Sequence, residues 1–265
     1  MPLTHLIILS LIQGLTEFLP VSSSGHLIIV PNILSWRDQG LIIDVAVHAG
    51  SLLAVVIYLW RDLWSMTAAL IDFRNLRENP NLKLAQIIII ASLPVMAAGF
   101  MVSLFVGDSA RNLEIIGWAT LGFGILLGLS DKIGMTLNEL KHMQFLDGIL
   151  IGISQALALI PGASRSGLTI TMARFLGYNR SAAARFSLLL AIPAILGASS
   201  LKGIELAQTQ NAILSIDVAI VIMISFVAAF ASISVMMNWL NKAGFMPFVI
   251  YRVVLGTGLL AWVYL

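Results

Sequence analysis

The 265-residue chain has no cysteine. That excludes disulfides, thiolate nucleophiles and Cys-ligated zinc, and leaves hydroxyl groups as the natural side-chain nucleophiles. Charge is nearly as scarce. Only 11% of residues are Asp, Glu, Lys or Arg, against about 25% in a soluble domain. The net charge of +2 offers no basic domain, so nucleic acid is not an expected partner. The opening residues, MPLTH, carry no Lys or Arg ahead of the first apolar run, which argues against a cleaved signal peptide. Long polar stretches are also missing, so a receptor or purely structural role has nothing in its favour. What is there is apolar: 59% of the residues, with a mean hydropathy of +0.97. Soluble domains need about 45–50%. The chain reads as an integral membrane protein whose partner is the bilayer itself.

A spanning helix takes about 20 mostly apolar residues. Six segments qualify: 41–60, 84–106, 112–130, 183–202, 217–239 and 246–265. Two further apolar stretches, 5–34 and 146–177, are interrupted in the middle. The first is broken by Pro20-Val21-Ser22-Ser23-Ser24-Gly25, the second by Pro161-Gly162-Ala163-Ser164-Arg165-Ser166-Gly167. Pro and Gly around a run of Ser is turn chemistry. The arms beside each break are too short to cross alone, and irregular backbone at membrane depth survives only against protein or a wet cavity. Both stretches read as re-entrant helix–turn–helix hairpins, with a kinked single span as the alternative. Shifted by 142, Gln13 meets Gln155, Leu15 meets Leu157, and Ser22, Ser24, Gly25 and Ile28 meet Ser164, Ser166, Gly167 and Ile170. The expected fold is therefore an all-α polytopic membrane protein: six transmembrane helices plus two re-entrant hairpins in an inverted-topology repeat. It forms one membrane domain over 1–265. Repeat one covers about 1–106, a linking span about 107–135, repeat two about 140–240 and a final span about 246–265.

Following the chain through those spans, one side collects Arg61, Arg74, Arg77, Lys83, Lys132, Lys141, Arg174, Arg180, Arg185 and Lys242, and a loop is expected there at 61–83. The other side collects Arg37, Arg111 and Lys202, while Arg252 falls inside the last span. Cytoplasmic loops carry the Lys and Arg excess. The richer side is thus expected in the cytoplasm and both termini in the periplasm. One hairpin then enters from each side, and their turns can meet near the midplane.

Ionisable groups at membrane depth cost ~2.5–3.5 kcal/mol on insertion scales and usually mark function. Hairpin one holds Gln13, Glu17, Ser22, Ser23, Ser24 and His26. Hairpin two holds Gln155, Ser164, Arg165, Ser166, Thr169 and Arg174. Gln13 and Glu17, four apart, share a helix face. Two half-helix N-termini facing each other favour an anion, and phosphate above all. Arg165 brings a planar cation that fits phosphate oxygens. A Ser hydroxyl with a carboxylate and an imidazole nearby has the parts for nucleophilic attack or water activation. A plainer reading of Glu17 and Arg165 is an ion pair pinning the hairpins, and of Ser22 and Ser24, helix caps.

These strings resemble a known family. Gln13-Gly-Leu-Thr-Glu17-Phe-Leu-Pro-Val-Ser-Ser-Ser-Gly-His26 is similar to the N-terminal signature of the bacterial undecaprenyl-diphosphate phosphatases of the bacitracin-resistance type, Glu/Gln-x-x-x-Glu followed by Pro-Val-Ser-Ser-x-Gly-His. Pro161-Gly-Ala-Ser-Arg-Ser-Gly-Leu-Thr169 resembles the second signature. Their separation, the chain length and the span pattern also agree. The resemblance implies an inner-membrane hydrolase with a site open to the periplasm. It would remove the terminal phosphate of its polyprenyl diphosphate lipid and recycle the carrier for peptidoglycan synthesis. It implies a divalent cation, Mg²⁺ or Ca²⁺, with Glu17 as the candidate ligand. By motif position Ser23 is the candidate nucleophile, Glu17 and His26 its acid–base partners and Arg165 the diphosphate clamp. Gln13, Ser22, Ser24, Ser164, Ser166 and Thr169 are substrate contacts. Covalent Ser chemistry and metal-activated water both remain open, as do monomer and homodimer.

Two rivals use parts of the same pattern. Inverted repeats with broken helices also build secondary transporters and lipid-phosphate flippases. The acid-phosphatase-like lipid phosphatases share Ser24-Gly25-His26 and Ser164-Arg165, but Thr171 stands where they need a His.

Overall fold

The computed structural model describes residues 2–36, 40–71, 79–105, 112–208 and 216–265. Among these it contains eleven α-helices and no named strand: α1 (Leu3–Thr16), α2 (Ser23–Ile33), α3 (Gly40–Tyr58), α4 (Trp60–Ile71), α5 (Pro80–Phe105), α6 (Leu113–Ile133), α7 (Phe145–Ala156), α8 (Arg165–Phe175), α9 (Arg180–Gln208), α10 (Ile216–Leu240) and α11 (Met246–Tyr264). Six of them, α3, α5, α6, α9, α10 and α11, are long and apolar enough to cross a bilayer. They fall on the six expected segments, and the chain is an all-α, multi-pass membrane protein. Arg37, Arg74, Arg77 and Arg111, four of the charges used for orientation, lie outside the described residues, as does the side chain of Lys202.

The four remaining members of the two pairs are short. α1, α2, α7 and α8 have 14, 11, 12 and 11 residues. At ~1.5 Å rise per residue none exceeds about 21 Å, well under the ~30 Å hydrocarbon core. In both pairs the outer ends of the two arms touch. The His5 ring at the start of α1 stacks on Trp36 beyond α2, with centroids 3.8 Å apart. At the start of α7, Asp147 accepts a 2.5 Å hydrogen bond from Tyr178 beyond α8. The two pairs approach from opposite ends of the bundle. Ile28 and Ile29 of α2 pack on Ile116 near the start of α6 and Leu259 near the end of α11. Arg174, at the end of α8, instead donates to the carbonyls of Asp131 and Gly134 at the end of α6. The two turns therefore face each other in the middle of the bundle.

Each pair packs on a long helix of the other half: α1 along α10, and α7 along α5. Small residues let the backbones approach. A Cβ on Gly14 of α1 would sit 2.6 Å from the Ser225 carbonyl of α10. α6 and α11 lie against each other and frame both turns.

The charged ends cluster. Asp131 accepts from Arg180 Nε at 2.7 Å, pairs with Arg174 Nε at 3.3 Å and accepts the Phe245 backbone N–H at 3.1 Å. Arg185 holds Asp62 through both carboxylate oxygens, and Lys83 donates to Gln144. The ends of α6, α8 and α10 and the starts of α4, α5, α7, α9 and α11 are thereby gathered at one end of the molecule.

The loop expected at 61–83 needs correcting. Residues 60–71 are the helix α4, and α5 begins four residues earlier than expected, at Pro80. α4 is amphipathic: Trp60, Trp64 and Ile71 are exposed on one face while Met66 and Ala69 are buried. Twelve residues with scattered apolar positions fall below any criterion for a span, so a search for spans passes over such a helix.

Candidate active site

The site is built on two turns of matching geometry. Ser22 takes a left-handed backbone, φ 73°, and its hydroxyl accepts the Gly25 N–H at 3.3 Å, capping α2. Ser164 has φ 72° and accepts the Gly167 N–H at 3.1 Å, capping α8. A positive φ is uncommon for a residue with a side chain; here the side-chain cap helps to hold it. The next hydroxyl but one also repeats, with Ser22 to Ser24 at 3.4 Å and Ser164 to Ser166 at 3.3 Å. A Cβ at Gly167 would lie 2.8 Å from Arg252 Nη1, so a larger residue there would displace the guanidinium.

Glu17 lies at the centre and is buried. Its Oε2 accepts Ser23 Oγ–H at 2.6 Å and Gln13 Nε2–H at 2.9 Å. Its Oε1 accepts Arg165 Nη2–H at 3.3 Å. The expected nucleophile, carboxylate and cation thus form one connected set across the two hairpins. Arg165 also donates to the Ser187 carbonyl at 3.4 Å and lies over the Phe18 ring. Thr169 bonds Ser187 Oγ at 2.7 Å, and Ser166 donates to the Leu19 carbonyl at 2.8 Å, so each reaches a neighbouring element. Ser24 is exposed.

His26 is placed differently from the others. It has no hydrogen bond to Ser23 or Glu17. Its Nδ1 lies 2.6 Å from the Ser22 carbonyl and its Nε2 2.5 Å from Tyr251 Oη. Tyr251 was not among the expected residues, because a lone Tyr in an apolar span reads as an interface anchor.

Arg252 was also passed over, although an Arg inside a span is costly enough to mark itself. It is wholly buried. Nε donates to the Thr120 carbonyl at 3.1 Å, Nη2 to Gly162 and Ala163 at 3.1 and 3.0 Å, and Nη1 to Pro20 at 3.4 Å. One guanidinium therefore ties α6 to both turns. Gln155, the counterpart of Gln13, is buried with neither side-chain polar atom hydrogen-bonded.

The implied cation finds no seat in these side chains. Among the described residues no three His, Asp or Glu groups converge. The oxygens of Glu17 already accept three hydrogen bonds, one from a guanidinium that repels a cation. The described residues do not make a metal centre.

Chemically, a hydroxyl bonded to a carboxylate, a cation beside it and two helix N-termini facing one another suit attack on a phosphate ester or anhydride. The family model for bacitracin resistance protein BacA matches residues 6–258. Undecaprenyl-diphosphatase 1 of Rhodospirillum rubrum is 44% identical over 272 residues, covering 100% of this chain and 96% of that protein. The undecaprenyl-diphosphatases of Hahella chejuensis and Ruegeria pomeroyi are 45% and 46% identical, with 98% and 100% of each chain covered.

Proposed function

This chain belongs to the bacitracin resistance protein BacA family, and from that membership we infer that it is an undecaprenyl-diphosphatase, a membrane hydrolase that removes the terminal phosphate of undecaprenyl diphosphate. The rival transporter or flippase reading has no support among the relatives, which are named for the phosphatase reaction.

The observation that carries the mechanism is the 2.6 Å hydrogen bond from Ser23 to Glu17, with Arg165 on the second carboxylate oxygen. Ser23 Oγ attacks the terminal phosphorus as its proton passes to Glu17 Oε2. The bond from phosphorus to the bridging oxygen breaks, and undecaprenyl phosphate leaves with the electron pair. Water then attacks the phosphoserine and gives up a proton to His26. Glu17 returns its proton to Ser23 Oγ, and inorganic phosphate is released. Arg165 keeps N–H groups beyond those given to Glu17 and Ser187, and these meet the phosphate oxygens. The N-termini of α2 and α8, held by Ser22 and Ser164, offer backbone N–H groups to the same charge. Gln13, Ser24, Ser166 and Thr169 line or brace this place. The Mg²⁺ or Ca²⁺ of the family resemblance is expected to arrive on the diphosphate, because the side chains do not hold it.

The test is phosphate release from C55 diphosphate by pure protein in detergent. Wild-type protein releases phosphate, Ser23→Ala loses kcat far more than expression, and His26→Ala and Glu17→Ala each lose ~10²–10⁴-fold. Wild-type-like turnover by Ser23→Ala would remove the covalent step and leave direct attack by water.

The same reading puts the protein in the bacterial inner membrane, with both hairpins re-entrant, the site open to the periplasm and the termini on that side. The end gathered around Asp131 then faces the cytoplasm, in keeping with its Lys and Arg. A single Cys at exposed Thr136, in a chain with none of its own, is expected to resist an impermeant thiol reagent in intact cells. Labelling there would reverse the orientation.

A further inference from the structure

We propose that Tyr251 is a further catalytic residue for the reaction: it holds Nε2 of the Nδ1–H tautomer of His26 as the atom that takes a proton, and it relays that proton from water. This rests on the phosphatase reading for its role and on geometry for its existence.

The Ser22 carbonyl lies 2.6 Å from His26 Nδ1. A carbonyl oxygen can only accept, so Nδ1 carries the hydrogen. In a neutral imidazole the lone pair is then on Nε2. Tyr251 Oη is 2.5 Å from that nitrogen, so the phenol donates to it. The two rings are nearly parallel, with planes 10° apart and centroids separated by 5.7 Å. Both ring nitrogens are thus held: the carbonyl fixes the tautomer, and the phenol donates to the nitrogen left without a hydrogen.

The supports on either side are themselves fixed. The Ser22 carbonyl also accepts the backbone N–H of His26 at 3.3 Å, within the first turn of α2. Tyr251 precedes Arg252, whose guanidinium binds the carbonyls of both turns. The helix that brings the phenol to His26 is therefore the one anchored to the turn from which α2 starts. Rotation of the imidazole would break two hydrogen bonds at once.

The arrangement also divides proton handling in two. Ser23 gives its hydrogen to Glu17, not to His26. His26, three residues on in α2, turns its acceptor to Tyr251 instead. The phenol oxygen has lone pairs left and can accept from water while donating to Nε2. A water proton then passes to Tyr251 as the tyrosine proton passes to His26: one water O–H bond breaks, one Nε2–H bond forms, and the phenol is restored. That places the water for the second half-reaction at the α11 side of the phosphoserine.

The decisive experiment is ¹⁵N NMR of imidazole-labelled protein in nanodiscs at about pH 8, where an ordinary imidazole is neutral. The chain has only four histidines, and His26→Ala assigns the signal. Wild-type His26 is expected to show a protonated Nδ1 and an unprotonated, hydrogen-bonded Nε2. Tyr251→Phe keeps the ring but is expected to move the Nε2 resonance toward that of a free acceptor, with kcat for C55 diphosphate down ~10-fold or more and KM little changed. A wild-type His26 protonated at Nε2, or an Nε2 resonance indifferent to Tyr251→Phe, overturns the proposal whether or not any variant folds poorly. Failure of the wild type to release phosphate would sink the phosphatase reading alone, because the resonances still decide the tautomer.

Discussion

The two turns share a backbone and divide the chemistry. At matching positions both have a left-handed Ser that caps its helix through the N–H three residues on, and a second Ser hydroxyl next to it. Between those serines turn one places Ser23 and turn two places Arg165. Glu17 of hairpin one corresponds to Leu159 of hairpin two, and His26 to Leu168. In the proposed mechanism the nucleophile with its acid–base groups therefore stands on one side and a fixed cation on the other. There the repeated residues set the geometry, and the ones that differ are assigned the reaction. An anionic substrate needs both halves, because neither turn alone offers attack and charge compensation together.

The sharpest way to break this division is at Arg165. Arg165→Lys keeps the charge but loses the planar fork, and is expected to lose most phosphate release while keeping expression and thermal stability. Arg165→Ala loses more. If Arg165 only pins the hairpins through Glu17, breaking that buried pair costs ~3–5 kcal/mol, and the double change Arg165→Met with Glu17→Met recovers the loss. Unstable single variants rescued by the double one would make turn two a strut and not a clamp. Glu17→Gln separates charge from shape in the same assay: near-full activity would leave Glu17 as a hydrogen-bonding group without a base's role.

The scaffold was largely legible from residue order. Runs of about 20 apolar residues marked all six spans, because a bilayer imposes length and composition together. The breaks at Pro20 and Pro161 marked the turns, and the 142-residue shift paired α2 with α8 to the residue. Motif position also paired Ser23 with Glu17, while the contact from Glu17 to Arg165 is the one expected of the plainer ion-pair reading. What was hidden depends on the last span. Arg252 and Tyr251 lie some 230 residues from turn one, with no spacing to tie them to it. Their role appears only when α11 lies along α6. α4 was hidden for a different reason: it is short, and its apolar residues are scattered around it and not strung in a run.

Arg252 sharpens the comparison from the other direction, since it treats the turns alike. Its N–H groups go to Pro20 on one side and to Gly162 and Ala163 on the other. Arg252→Met takes this donor from the Pro20 and Ala163 carbonyls, while Gly162 keeps Thr120 Oγ1–H at 3.3 Å, at ~1–3 kcal/mol for each carbonyl stranded. The expected result is a lower midpoint of thermal unfolding together with lost activity, because the nucleophile and the clamp shift apart. Arg252→Lys cannot reach all five acceptors from one nitrogen and is expected to fall between. A stable, active Arg252→Met variant would mean that packing of α6 on α11 holds the turns unaided.

The smallest effect is expected where the halves diverge most quietly, at the two glutamines. Gln13 has work: its Nε2 donates to Glu17 at 2.9 Å and helps aim the carboxylate at Ser23. The counterpart of Glu17 in hairpin two is Leu159, so Gln155 has kept its position and lost its partner. It is buried with its oxygen and its nitrogen both unbonded. A buried amide without partners costs free energy that a similarly sized apolar side chain does not. Gln155→Leu is therefore expected to leave phosphate release unchanged and to be neutral or stabilising by about 1 kcal/mol in thermal unfolding. Gln13→Leu is expected to lower kcat, because it frees one oxygen of the base that Ser23 relies on. Equal damage from the two changes would show that Gln155 is also bonded in the folded protein, and hairpin two would then be more than a frame for Arg165.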